Sequence, residues 1–194
     1  MGVPEHIVDL KLEDWYSSLS DADRMKLSRY LDKAESSSDY AFFSSIIDCA
    51  LSDENPKFAV FMCLQIYDIC DMDDYQRFLI NEKLIDAYIG AERYEDAKVA
   101  CDANLELYPI VKERFISDNG DILPKRINFR NRYIDIIVGI DSAYDLAFDM
   151  LEKYKDMGLI DAEEYDYRVN SLKTHRLQKI FDGVYSYRPE GQDR

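Results

Sequence analysis

Apolar positions recur at three- and four-residue spacing along most of the chain, the period of a helix with one buried face. Residues 12–34 read as two short helices, the second capped by Ser20 or Asp21 and carrying Lys33 near its end. Ser36-Ser37-Ser38-Asp39 reads as a loop and cap before an apolar helix over 40–52 that holds Phe42, Phe43, Ile46, Ile47 and Ala50. Asn55-Pro56 is a helix start, with Pro at the first helical position. The helix it opens, to about 71, is apolar on most sides through Phe58, Val60, Phe61, Leu64, Ile66 and Ile69, which predicts a central position. Asp73-Asp74 caps another, with Phe78, Leu79, Leu84, Ile85 and Tyr88. A further helix runs from about 93 to 107 and stops before Pro109. Asp118-Asn119-Gly120-Asp121 is the clearest turn. Pro124 opens a helix to about 139, and helices near 142–157 and 161–182 follow. The pattern predicts an all-α fold of about nine helices, with short loops that make neighbours antiparallel. It predicts one domain over 1–184 and a frayed tail over 185–194.

Composition agrees with long helices and narrows the partners. The 194 residues include only 7 Gly and 5 Pro, fewer than a turn-rich β domain uses. With 24 bases against 39 acids, the net charge of -15 argues against nucleic acid and against anionic membranes as partners. The most apolar stretch, residues 58–69, is shorter than the roughly 20 residues a spanning helix needs. The first residues show no basic and apolar leader pattern, so no signal peptide is expected. Four Cys (49, 63, 70 and 101) lack the CxxC spacing and density of a metal or disulfide framework. With no Asn-x-Ser/Thr sequon present, these features predict a cytoplasmic, reducing setting.

Residues 78–111 place Leu84 and Tyr88 four apart, Tyr94 at a turn, Ala97 three residues later and Pro109 at the end. That spacing resembles a tetratricopeptide repeat, a helix–turn–helix of fixed packing slots. Asn81, Ile85, Cys101 and Asn104 depart from the family's usual residues, and Tyr144-Asp145-Leu146-Ala147 gives only a partial echo. The resemblance implies antiparallel hairpins stacked as a short right-handed α-solenoid whose concave face holds a peptide or partner helix. An irregular helical bundle produces the same spacings.

Near the C-terminus, Gly158 suits a left-handed helix end, and Asp161 with Glu164 suits a capping box. The run Gly158-Leu159-Ile160 followed by Glu164-Tyr165 is similar to the short C-terminal domain of many prokaryotic proteins, which implies oligomerisation. A good interhelical turn explains the same residues.

Charge is uneven along the chain. Residues 1–111 carry 10 bases and 23 acids, 112–132 carry 6 bases and 3 acids, and 133–194 carry 8 bases and 13 acids. On a helix opened by Pro124, Arg126 and Arg130 share one face, and Lys125, Asn128 and Arg132 share another. With Asn131, these six residues are the candidate partner-binding set, able to hold a carboxylate through Arg forks and amides. Pairing with the protein's own acids is the competing reading. Arg168, Lys173, His175, Arg176 and Lys179 form a second basic cluster, interleaved with Leu172, Leu177, Ile180 and Phe181. It reads as the solvated face of an amphipathic helix.

Catalytic signals are absent from the sequence. His6 and His175 have no ligand partners at metal spacing. Asp71, Asp73 and Asp74 resemble part of a calcium loop without its Gly or its closing Glu. No phosphate-loop, dinucleotide or nucleophile-elbow motif occurs. Cys63 and Cys70, seven apart on one helix, are separated by roughly 10 Å and read as core residues. Tyr16, Tyr30, Tyr40, Tyr67 and Tyr88 read as interhelical packing, and Trp15 as an N-terminal anchor. The expected function is therefore a non-enzymatic adaptor for a protein or peptide, without cofactor or metal. An acidic decoy that imitates nucleic acid and a small homo-oligomeric structural protein are the alternatives.

Overall fold

A computed structural model describes residues 3–186, with side chains described to residue 182. Among the described residues there is no strand, and ten α-helices follow in order. They are α1 (Glu5–Asp9), α2 (Glu13–Ser18), α3 (Asp21–Leu27), α4 (Asp39–Ser52), α5 (Pro56–Ile69), α6 (Asp74–Gly90), α7 (Tyr94–Asp118), α8 (Asn128–Gly139), α9 (Tyr144–Asp156) and α10 (Ala162–Ser186). A 3-10 turn, Leu31–Lys33, precedes α4. The chain divides into two compact units between Tyr133 and Ile134. Of the expected tail, residues 185 and 186 belong to α10 and residues 187–194 lie outside the described ones.

In the first unit α4, α5, α6 and α7 pack in succession, and the longest apposition joins α6 to α7. Phe42, Phe43, Ile46, Ile47 and Ala50 of α4 are fully buried, as the spacing predicts. Trp15 of α2 packs edge-on to Phe43 at 4.8 Å and donates from Nε1 to Gln65 Oε1 of α5 at 2.8 Å. It is the expected anchor, with its polar edge satisfied. Tyr30 and Tyr88 are buried, Tyr16 and Tyr40 are half-buried, and Tyr67 is exposed. Asn55 does not cap α5; its Nδ2 donates to Tyr30 Oη at 3.3 Å.

Pro109 lies inside α7, not beyond its end, and the helix continues to Asp118. The expectation that Pro109 ends the helix is thus corrected. Tyr108, Val111 and Phe115 on both sides of it are buried, and Phe115 meets Phe78 of α6 at 5.1 Å. That burial outweighs the one hydrogen bond that proline removes. Ala97 and Cys101 are buried where α7 passes α6, while Arg93 meets Tyr88 at one end and Arg114 meets Tyr75 at the other. The two helices are therefore antiparallel.

Four helix ends close on one backbone device. Leu12, Asn55, Arg93 and Leu159 each donate their N–H to a carbonyl five residues earlier, on Ile7, Ala50, Tyr88 and Tyr154. The residue just before each donor is left-handed: Lys11, Glu54, Glu92 and Gly158. This is the Schellman turn, which favours glycine at the left-handed position. Among these four only Gly158 meets that preference, as the sequence predicts; Gly120 meets it after α7, where Asp121 donates to the Ile116 carbonyl. Glu92→Gly should raise the unfolding free energy by about 0.5–1 kcal/mol in urea titrations, because it relieves the left-handed cost. A decrease would show that the Glu92 side chain contributes more than its backbone strain removes.

Asp73 begins α6 with a closed capping box: it accepts from Gln76 N–H at 2.7 Å, and Gln76 Oε1 accepts from Asp73 N–H at 3.1 Å. Arg114 Nη1 of α7 reaches the same carboxylate at 3.1 Å. The Gln76 hydrogen bond, helped by Arg114, holds the Asp73 carboxyl below its ordinary 3.8. The folded state therefore binds this proton less readily than the unfolded chain, so the stabilisation is present above 3.8 and is lost as pH falls further. Asp73→Ala should cost about 1 kcal/mol near neutral pH. In urea melts across the acid range that difference should fade, and so should the difference from Asp73→Asn, because both variants lack the titrating carboxyl.

The second unit packs α9 against α10 in antiparallel fashion. Tyr144 Oη at the start of α9 lies 2.9 Å from His175 Nδ1, and Lys155 near its end sits 4.5 Å from the Tyr165 ring. Asp161 caps α10 by accepting Glu164 N–H at 2.8 Å. Leu151, Tyr154 and Leu159 are fully buried there. No described helix is long and apolar enough to cross a membrane.

Candidate functional site

The predicted basic face is reorganised by α6. Helix α8 begins at Asn128, four residues after Pro124, so Lys125 and Arg126 precede the helix and both are exposed. Arg126 therefore does not share a helical face with Arg130, a correction to the sequence expectation. The reason is a cap supplied from another helix. Glu82 of α6 accepts the N–H groups of Asn128 at 2.5 Å and of Phe129 at 3.0 Å. A helix N-terminus presents such unpaired N–H groups, and a carboxylate there also meets the positive end of the helix dipole.

Glu82 also accepts from Asn104 Nδ2 of α7 at 2.9 Å. Asn104 is fully buried and donates as well to the Phe78 carbonyl at 3.1 Å. One carboxylate thus joins α6, α7 and α8. Glu82 as a residue is half-buried, but its carboxyl group is enclosed. Burial raises its proton affinity above the ordinary 4.5, and the Asp86 charge adds to this against the donors from Phe129, Asn104 and Asn128.

The remaining predicted residues fall around this junction. Asn128 Nδ2 donates to the Glu82 carbonyl at 2.9 Å and to Asp86 Oδ2 at 2.8 Å. Arg132 Nε donates to Asp86 Oδ1 at 3.0 Å. Arg130 is only 2 % exposed; it donates from Nη2 to the Lys125 carbonyl and from Nε to Asn131 Oδ1 at 3.1 Å. Asn131 is half-buried beside it. The structure therefore brings Asn128, Arg130, Asn131 and Arg132 into intramolecular contacts and leaves Lys125 and Arg126 facing solvent. Glu82 and Asp86 are the partners that sequence reasoning missed. They stand four apart on α6, a like-charge pair, but among Gln76, Arg77, Asn81 and Lys83 nothing in the sequence sets them off.

Arg132 and Asp86 also line a cleft of about 440 Å³, with Leu51, Pro56, Ile89 and Gly90 as apolar lining and Glu54 as a second acid. The cleft owes its shape to a close approach: a Cβ on Gly90 would lie 2.8 Å from Pro56 Cβ. Its chemistry is that of an apolar seat beside an ion pair. The side chains of Arg132 and Asp86 remain 33 % and 36 % exposed.

The cysteines carry no reactive signature. All four are free thiols, and burial pushes Cys63 and Cys70 up to about 12 and raises Cys101 further. Among the described residues no cluster of three His, Cys, Asp or Glu is placed to hold a metal ion. Lys83 Nζ of α6 reaches Ser44 Oγ at 2.7 Å and Asp48 Oδ2 at 2.7 Å, a polar tie between α6 and α4. No protein-family model, curated protein or solved structure matches the chain.

Glu82→Ala should lower the unfolding free energy by about 2–4 kcal/mol, because it strands buried donors on α7 and α8. Urea melts followed by far-UV circular dichroism would measure it. A loss below about 0.5 kcal/mol would show that water replaces the carboxylate.

Proposed function

We propose that the protein is a non-enzymatic adaptor that holds a short peptide or partner helix. The cleft beside Arg132 carries this reading, since it sets apolar lining from Leu51 and Ile89 next to exposed charges of both signs. An apolar side chain of the partner would enter the cleft, and its polar groups would meet Arg132 and Glu54 at the rim. Lys125 and Arg126 add positive charge in the segment that leads into α8. The resemblance of residues 78–111 to a tetratricopeptide unit supports the same reading, because hairpin scaffolds of that kind bind extended peptides. The packed helices supply a rigid frame for it.

Selection of a random peptide library on the immobilised full-length chain tests the proposal. Enriched peptides should bind Glu54→Arg and Arg126→Glu variants about tenfold more weakly than the parent protein. Both positions are exposed, so the variants should keep the parent circular dichroism spectrum. Failure to enrich any sequence, or equal binding by both variants, would overturn the adaptor reading.

A further inference from the structure

Asn119 caps the C-terminal end of α7, and Gly120 follows it. Residues 117–122 are all exposed. Asn119 Nδ2 donates to the Phe115 carbonyl at 2.7 Å, one of the acceptors that a helix end leaves unpaired. Gly120 is left-handed, at φ 74°, and its N–H donates to the Ser117 carbonyl at 3.1 Å. A Cβ built on Gly120 would meet no atom within 4 Å.

The backbone nitrogen that follows an asparagine can attack the side-chain carbonyl carbon and close a succinimide ring. Two obstacles normally prevent it: the side chain of the next residue, and a helix that holds the next N–H in its ladder. The chain has seven asparagines, and six of them meet an obstacle. Asn55 precedes Pro56, which has no N–H. Asn81, Asn104, Asn131 and Asn170 lie within helices and precede residues with side chains. Asn128 begins α8, but the N–H of Phe129 is held by Glu82. Asn119 differs on both counts. Its successor has no side chain, and the bonds that hold the reacting groups belong to the last, exposed turn of α7. Helix ends of that kind open far more readily than helix interiors.

We propose that Asn119-Gly120 is a self-modification site, at which the folded chain converts Asn119 into isoaspartate and aspartate. The Gly120 nitrogen gives up its proton and bonds to Asn119 Cγ. The Cγ–Nδ2 bond breaks, and Nδ2 leaves as ammonia with that proton. Water then opens the succinimide. Addition at Cγ gives aspartate, and addition at the Asn119 backbone carbonyl gives isoaspartate, in which the chain runs through the former side chain. Nothing is oxidised or reduced. Either product removes the amide donor to Phe115 and adds a negative charge between Asp118 and Asp121. That charge sits at the negative end of the helix dipole. The conversion therefore loosens the last turn of α7, just before the connection that carries Lys125 and Arg126.

This chemistry does not depend on the cleft or on the adaptor reading. To test it, the full-length chain is held for days in mildly alkaline buffer, digested and mapped by mass spectrometry, with chromatography separating isoaspartyl from aspartyl peptides. The peptide that contains Asn119 should gain the mass of NH exchanged for O, mostly as isoaspartate, while the other six asparagines stay intact. A mildly acidic buffer should slow the conversion several-fold, because attack requires loss of the Gly120 amide proton. Gly120→Ala should slow it several-fold as well. The space around Gly120 accepts the added methyl, so circular dichroism should report intact folding despite the left-handed cost. The chain unfolded in guanidinium should convert faster than the native chain, since the last turn of α7 restrains both reacting groups. Asn119→Asp should lower the midpoint of urea unfolding without changing its slope. A native chain that stays unconverted while the unfolded chain reacts to completion would overturn the proposal, because the turn would then protect the site. So would equal conversion at any other asparagine. An unchanged urea midpoint in Asn119→Asp would overturn the loosening of α7.

Discussion

Three donors from two helices converge on the carboxylate of Glu82: the backbone N–H groups of Asn128 and Phe129 and the side-chain amide of Asn104. The geometry of the candidate site follows from that convergence. It starts α8 at Asn128, which rotates Arg132 toward Asp86 and buries Arg130. Apolar packing holds the same junction from below. Phe78, Tyr108, Phe115 and Phe129 meet with ring centroids 5.1–6.4 Å apart, and all four are buried. Aromatic packing is tolerant of direction, whereas three hydrogen bonds to one carboxylate fix register. The buried charge is thus a specificity device more than a source of net stability, since its desolvation offsets much of what the donors return.

The helices were legible in the sequence because their signals are local. Ser20, Ser38, Asp73 and Asp161 all cap by hydrogen bonds within four residues, and the structure places each as its sequence position suggests. Buried stripes such as Phe42, Phe43, Ile46 and Ile47 follow from period alone. The start of α8 was not legible, because its cap lies on a helix 46 residues earlier. Pro109 misled for a related reason. Its local cost is clear in the sequence, but the compensating burial of Phe115 against Phe78 is a tertiary fact. The candidate site was half legible: the basic segment stands out by composition, and its acidic counterparts Glu82 and Asp86 do not stand out in a chain rich in acids.

Scarce glycine led to the right fold class for an incomplete reason. Long helices need little glycine, but tight helix ends usually ask for it. Here Lys11, Glu54 and Glu92 occupy left-handed positions that glycine would fill more cheaply. Such strain persists where the surrounding structure fixes the turn. At Glu54 the turn also sets an acid on the wall of the cleft, next to the Asn55-Pro56 start of α5. Glycine there would relax the backbone and remove the charge, so the strained residue and the chemistry of the cleft share one position.

The net charge of -15 therefore understates how differently the two signs are used. Arg132 is paired with Asp86, Arg114 with Asp73, Arg176 with Asp145, and Arg168 with Glu164. Guanidinium groups suit this work because their forked donors match carboxylates. Part of the positive charge is thereby paired within the molecule, and the excess of acids dominates the long-range field. Over helix-sized distances a different rule applies. Screening confines each charge to its neighbourhood, so Lys125 and Arg126 before α8 are local positive marks on an acidic protein. A partner that carries both an acid and an apolar side chain can distinguish those marks from the surrounding surface, and bulk anions repelled by the total charge cannot.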